Sequence, residues 1–323
     1  MRAMQIVAPG KAECIETPKP ELRPGHALVR TKRVSLCGSD IHSIYFSPPE
    51  RYPLEPGTSG HEMVGVVEAV DAPDSSIHVG DVALTLVMNN KAMAEYYLAP
   101  VEHVLVLPEG KPIEHLLQAQ QLGTVIYAAK KLPNLLDKDV VVIGQGSAGL
   151  WWNFVVHRLG ARRVIAIDLQ AHRLMLSEQY GATHTVHNAE VDAAEAVSEI
   201  TQGRMADVVV EAAGDPNAIN LAVDLVKRYG YMFHFGVPRA NTLDYRFFDV
   251  FRKCLTIQTM VGAMADPGQS CTHMALEWIA KGIANPGPMI THHFPFERVK
   301  DAYELAYTRD EGAIKIVIDM PGS

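Results

Sequence analysis

A chain of 323 residues, 48% of them apolar, can bury two ordinary hydrophobic cores, so two domains are expected. The net charge of −8 and the lack of any basic run argue against a nucleic acid or an anionic membrane as partner. No apolar stretch approaches the roughly 20 residues that span a bilayer, and the N-terminus reads as a first strand rather than a signal peptide, so a cytoplasmic protein is expected.

Residues 1–121 hold short β-type runs at 27–34, 63–70, 82–87 and 103–107. Pro24-Gly25, Pro56-Gly57 and Gly80-Asp81 separate them as turns. This pattern predicts a compact β-barrel or sandwich. From 122 to 262 strands alternate with helices. The strands fall at 140–143, 164–167, 183–186, 207–211, 231–235 and 255–260, and the helices at 150–159, on to about 180, at 189–200 and at 216–228. Six strands with helical crossovers predict a doubly wound sheet. Residues 263–323 add helices near 271–281 and 296–307 and a strand at 315–318. That tail is too short for a core of its own and is expected to complete the first domain.

The most informative stretch opens the second domain. Val140-Val141-Val142-Ile143 is an apolar, mostly β-branched run, as in a strand buried on both faces of a parallel sheet. It leads into Gly144-Gln145-Gly146-Ser147-Ala148-Gly149, a helix, and a second strand that ends at Asp168. Gly144 makes the tight turn, Gly146 lets a pyrophosphate approach the backbone, and Gly149 lets helix and strand pack closely. Asp168 stands about 20 residues on, where an acid accepts hydrogen bonds from an adenosine ribose. A carboxylate there repels a 2′-phosphate, which favours NAD(H). NADP would need a cation in its place, and Arg162, Arg163, His172 and Arg173 are near in sequence. Gly236, after the fifth strand, completes the candidate cofactor-binding set with Ser147, Ala148 and Arg173.

Two fragments of the first domain, Cys37-Gly38-Ser39-Asp40-Ile41-His42 and Gly60-His61-Glu62, carry a thiolate, an imidazole and a carboxylate suited to Zn²⁺. The four cysteines are scattered and form no CxxC pair, so a disulfide framework is not expected.

These fragments, followed by Ala94-Glu95-Tyr96 and the glycine-rich unit, resemble the medium-chain dehydrogenase/reductase superfamily over essentially the whole chain. The branch they resemble is the zinc-dependent alcohol and polyol dehydrogenases, of the sorbitol-dehydrogenase-like kind. The resemblance implies a GroES-like β-barrel catalytic domain in front of the cofactor domain. It implies Cys37 and His61 as zinc ligands. Glu62 matches an acid that binds zinc directly in the sorbitol-dehydrogenase-like branch and sits behind it in others. Ser39 matches the hydroxyl that takes the substrate proton, His42 the relay to solvent, and Asp40 the acid that orients His61. The chain departs from the family at Gln120, where a cysteine or glutamate ligand is usual. Either Glu62 completes the shell, or Gln120 acts through a water. No cysteine lies in residues 82–93, so a second, structural zinc is not expected.

The resulting expectation is an NAD-linked zinc dehydrogenase, with one zinc, that interconverts a secondary alcohol or polyol with its ketone. It is expected to act as a homodimer or homotetramer. A metal-free reductase of a quinone or activated double bond, or a cofactor-binding homologue without catalysis, are the alternatives.

Overall fold

Alternating apolar residues lay down the first strands of the computed structural model, which describes every residue except Val261, Ala263, Met264 and Ser323. β1 (Arg2–Ala8) and β2 (Lys11–Glu16) form an antiparallel hairpin. β3 (His26–Ser35) then runs into α1 (Gly38–Tyr45), and β4 (Glu62–Asp71) returns antiparallel to β3 with Glu62 opposite Ser35. β5 (Val82–Leu86), β6 (Tyr96–Pro100) and β7 (Val104–Val106) follow, then α2 (Ile113–Leu117) and α3 (Ala119–Ala129).

The alternating region comprises β8 (Asp139–Ile143), α4 (Ser147–Arg158), β9 (Arg163–Asp168), α5 (Ala171–Ser177) and β10 (His184–His187). It continues with α6 (Ala193–Ile200), β11 (Ala206–Glu211), α7 (Pro216–Leu225), β12 (Val226–His234), α8 (Phe247–Lys253) and β13 (Thr256–Thr259). The remaining elements are α9 (Ser270–Ala280), β14 (Ile290–Pro295), α10 (Val299–Thr308) and β15 (Lys315–Asp319).

The chain divides into two compact units, Met1–Thr124 with Ala263–Ser323, and Val125–Gly262. Ala263, where the expected third segment begins, lies outside the described residues. In the first unit a seven-stranded sheet runs β14-β15-β3-β4-β5-β7, and β6 pairs with β3. The tail thus enters the first sheet through β15, which lies antiparallel to β3 with Val317 opposite Ser35. Its core includes Val29, Met63, Phe296 and Ile318.

In the second unit six parallel strands run β10-β9-β8-β11-β12-β13, the doubly wound order of a dinucleotide-binding sheet. Val140, Val141, Val142 and Ile143 are buried, as a central parallel strand requires. Trp151 and Trp152 of α4 are fully buried. Among the described residues no helix is long and apolar enough to cross a membrane.

The structure moves three expected boundaries by several residues and adds the strands β2, β6 and β14. α6 starts at Ala193 rather than 189, because the Asp192 side chain accepts a hydrogen bond from Glu195 N at 2.8 Å and caps the helix there. α7 stops at Leu225 instead of continuing to 228. Val226 is extended (φ −82°, ψ 138°) and pairs with Ala206, so β12 begins there, before the expected 231. β14, parallel to β15, had no counterpart in the expected elements.

Candidate active site

The fragments that carry Cys37 and His61 meet where β3 ends and β4 begins. Cys37 is the residue before α1, and Asp40, in the first turn, reaches back to it: Cys37 N donates to Asp40 Oδ2 at 2.8 Å. The other oxygen, Asp40 Oδ1, accepts from Gly60 N at 2.8 Å and lies 3.4 Å from His61 Nδ1, an ion-pair distance at which no hydrogen bond is formed. One buried carboxylate therefore ties both fragments together. Burial alone would raise the Asp40 carboxyl. The charge of His61 and the N–H groups of Cys37 and Gly60 outweigh it and hold Asp40 below the usual carboxylate range.

The turn in front of His61 is shaped for this placement. Gly60 has φ 77°, and a Cβ there would lie 2.6 Å from Val34 Cγ1. Ser59, at φ 131°, occupies a region that costs a non-glycine residue on the order of 1–3 kcal/mol. Its hydroxyl bonds the buried Tyr303 hydroxyl on α10, which helps hold the strained turn.

Cys37, His61 and Glu62 each offer a donor atom, all within 4.8 Å of one another. Burial disfavours the charged forms of both Cys37 and His61. Their mutual contact, with Asp40 behind His61, nonetheless lowers the thiol and raises the imidazole well above its ordinary value. A divalent cation bound by these two groups would displace their protons. A borderline-soft ion such as Zn²⁺ fits this donor set.

Glu62 has a second commitment. Its Oε1 accepts from Lys315 Nζ at 2.9 Å, its Oε2 lies 2.6 Å from the same nitrogen, and Ser35 Oγ also donates to Oε2. Lys315 Nζ lies 3.4 Å from Leu36 O as well. The side chains of Glu62 and Lys315 are both fully buried. Removing one partner of such a pair costs about 3–5 kcal/mol.

Ser39 and His42 lie three residues apart on α1, so they share one helix face. His42 Nδ1 is buried without a hydrogen-bond partner, and its ring lies 6.4 Å from that of Phe46. Gln120 is buried on α3, but the amide that touches the thiolate belongs to its neighbour: Gln121 Nε2 donates to Cys37 Sγ at 3.5 Å. Lys315 and Gln121 are absent from the expected set of site residues. For Lys315 the available signal is a lysine that opens the otherwise apolar run Ile316-Val317-Ile318. For Gln121 there is none beyond its place beside Gln120.

The glycine-rich turn of the second unit meets its requirements. Gly144 has φ 90°, and a Cβ on Gly149 would lie 1.8 Å from Gly144 O, so only glycine permits this approach of helix to strand. Above Gly146 the nearest atom to an added Cβ is Arg173 Nη1, at 3.9 Å. α4 begins after Gly146 with no side-chain cap, which leaves first-turn N–H groups, those of Ser147 and Ala148 among them, for an anion. Asp168, at the tip of β9, accepts from Gln145 N at 2.6 Å and from Gln170 N at 2.9 Å. Each oxygen keeps a lone pair for a ribose hydroxyl. Gly236 packs on the next turn, since its Cβ would lie 2.2 Å from Gly214 N. That turn is held by Glu211, whose Oε1 accepts from Ala213 N and Gly214 N, both at 2.7 Å, while Oε2 has no partner. Burial pushes the Glu211 carboxyl up from 4.5 to about 7.

Comparison with known proteins agrees with this geometry. Residues 23–109 match the family described as alcohol dehydrogenase GroES-like domain, and residues 149–281 match zinc-binding dehydrogenase. An L-threonine 3-dehydrogenase of Symbiobacterium thermophilum is 28% identical over 99% of this chain and 98% of that relative. A sorbitol dehydrogenase of Bacillus subtilis is 25% identical over 94% and 93% of the two chains. The solved alcohol dehydrogenase from Thermus sp. ATN1 superposes with a TM-score of 0.85 at 25% identity, covering 99% of each chain. The chain belongs to the zinc-dependent alcohol and polyol dehydrogenases of the medium-chain superfamily. Its activity is that of a zinc-dependent, NAD-linked dehydrogenase of an alcohol or polyol.

Proposed function

We propose that the protein interconverts a secondary alcohol or polyol with its ketone, with Cys37, His61 and Glu62 forming the zinc pocket. The observation that carries the reading is the placement of those three donors within 4.8 Å at the start of the helix that bears Ser39 and His42. Zinc supplies a Lewis acid for the substrate oxygen, and NAD(H) carries the hydride. Ser39 takes the hydroxyl proton and His42 passes it to solvent, while Asp40 fixes His61 and the Cys37 backbone. The N–H groups after Gly144 and Gly146 hold the diphosphate, Asp168 holds the adenosine ribose, and Arg173 and Gly236 border that site. Gln120 is buried on α3 beside Gln121, whose amide reaches Cys37 Sγ. NAD is favoured over NADP because Asp168 is an anion.

The substrate is a small molecule; the net charge of −8 suits neither a nucleic acid nor an anionic membrane as partner. A homo-oligomer is supported by the open edge of β13 and by Phe247, Phe248 and Phe251, all at least 65% exposed on α8. Exposed Cys14 and Cys254 thiols suit the reducing cytoplasm.

Elemental analysis and an NAD-reduction screen over secondary alcohols and polyols test the reading together. About one zinc per chain and turnover on at least one class are expected. Ser39→Ala should keep the zinc and lower turnover by roughly 10²–10⁴-fold, the usual weight of a positioned proton acceptor. A chain that binds NAD yet holds no zinc and reduces NAD with none of the panel would sink it.

A further inference from the structure

We propose that Gln121 is a specificity-determining residue of the active site, its amide N–H held by the Cys37 thiolate and its amide oxygen presented to a second hydroxyl beside the reacting carbinol. This assignment rests on the zinc reading above and narrows its substrate to a vicinal diol or polyol. Gln121 Nε2 donates to Cys37 Sγ at 3.5 Å. A thiolate accepts hydrogen bonds and repels a carbonyl oxygen, so charge fixes which end of the amide faces it. The other end, Oε1, is buried and has no hydrogen-bond partner. It belongs to a side chain in a residue only 5% exposed, and a buried polar atom is rarely left unpaired in a folded protein.

The position of Oε1 narrows the choice of donor. The oxygen and nitrogen of an amide are about 2.2 Å apart, which puts Oε1 within about 5.7 Å of the thiolate sulfur. Donors around the metal-binding side chains are already committed: Ser35 Oγ and Lys315 Nζ to Glu62, and the N–H groups of Cys37 and Gly60 to Asp40. Cys37, His61 and Glu62 fill three positions of a catalytic zinc site, and the fourth stays open for water or substrate. The single hydroxyl proton of a simple alcohol in that position goes to Ser39, which leaves nothing for Gln121. A vicinal diol brings a second hydroxyl, whose proton the amide oxygen beside the thiolate can accept. Gln120 cannot take the same part while Gln121 faces the thiolate, because successive residues of a helix point about 100° apart.

Cobalt(II) in place of zinc gives two readouts that need no turnover. The sulfur-to-metal charge-transfer absorption reports the N–H donor. Gln121→Met should move it to longer wavelength, because the thiolate loses the hydrogen bond that withdraws its charge. Titration of the visible bands with 1,2-propanediol and with 2-propanol reports the amide oxygen. The unaltered protein should hold the diol more tightly by roughly 5–150-fold, the weight of one buried acceptor paired or left unpaired, and Gln121→Met should close most of that gap by weakening the diol alone. Where Gln121→Met does not fold, Gln121→Ala carries the same expectations. An unmoved charge-transfer band or a gap that survives in the variant overturns the proposal. So does equal weakening of both ligands, which would leave Gln121 a structural prop. Unaltered protein that turns over secondary alcohols but holds the two ligands equally keeps the zinc reading and overturns only this proposal. Unaltered protein that takes up neither zinc nor cobalt overturns both.

Discussion

At the scale of single residues, Asp168 joins two tasks: it accepts the N–H groups of Gln145 and Gln170, and it presents the remaining lone pairs outward. Asp168→Ala should weaken NAD binding by roughly 10–150-fold, the weight of about 1.5–3 kcal/mol for hydrogen bonds to a charged group, and should narrow the gap to NADP. Titration of both cofactors measures this, and tighter binding of NADP by the unaltered protein would contradict it. Cys37, His61 and Asp168 stand out in the sequence because each sits in a short local pattern whose chemistry needs that residue type. Lys315 does not, since its partner Glu62 is 253 residues away and no local pattern joins them. Gln121 escaped notice for another reason: which of two adjacent glutamines faces the thiolate depends on the rotational phase of α3, and residue type does not reveal it.

At the scale of elements, strands buried on both faces were legible from composition alone, as β8 and β9 illustrate. β14 was not, because Ile290–Pro295 alternates exposed and half-buried positions and includes His292 and His293. The end of α7 was hidden too. Helical and extended residues meet there without a glycine or proline, and the pairing of Val226 with Ala206 decides the boundary. Glu211, at the end of β11, brings a pH dependence. Its folded value of about 7 lies above the ordinary 4.5, so the folded state binds the proton more tightly between those values. The stability from this group is fully present below about 4.5 and is lost as pH rises through about 7, a change on the order of 3 kcal/mol. Glu211→Gln keeps an acceptor for Ala213 N and Gly214 N but cannot ionise. Its unfolding free energy should fall less between pH 4.5 and 7.5 than that of the unaltered protein. Equal slopes in denaturant titrations across that range would refute this.

For the molecule as a whole, the two-unit plan was readable from the change in rhythm between short strands and strand–helix alternation. The return of the tail to the first sheet followed from its small size. The assembly state is a matter of surface, and surface patterns are weak in sequence: the three phenylalanines of α8 attract notice only once they are seen to be exposed. Light scattering is expected to give a multiple of the 35.4 kDa chain mass, and Phe248→Glu with Phe251→Glu should reduce it. A monomer mass for the unaltered protein would rule the oligomer out.

The span between Glu62 and Lys315 also sets an order of events during synthesis. At translation rates of about 5–20 residues per second, the 253 residues between them take roughly 10–50 s to make. For that interval the acid has been made and its cation does not yet exist. The intervening unit, Val125–Gly262, has all of its strands available before β15 is made. Closure of the metal pocket is therefore a late event in the life of the nascent chain.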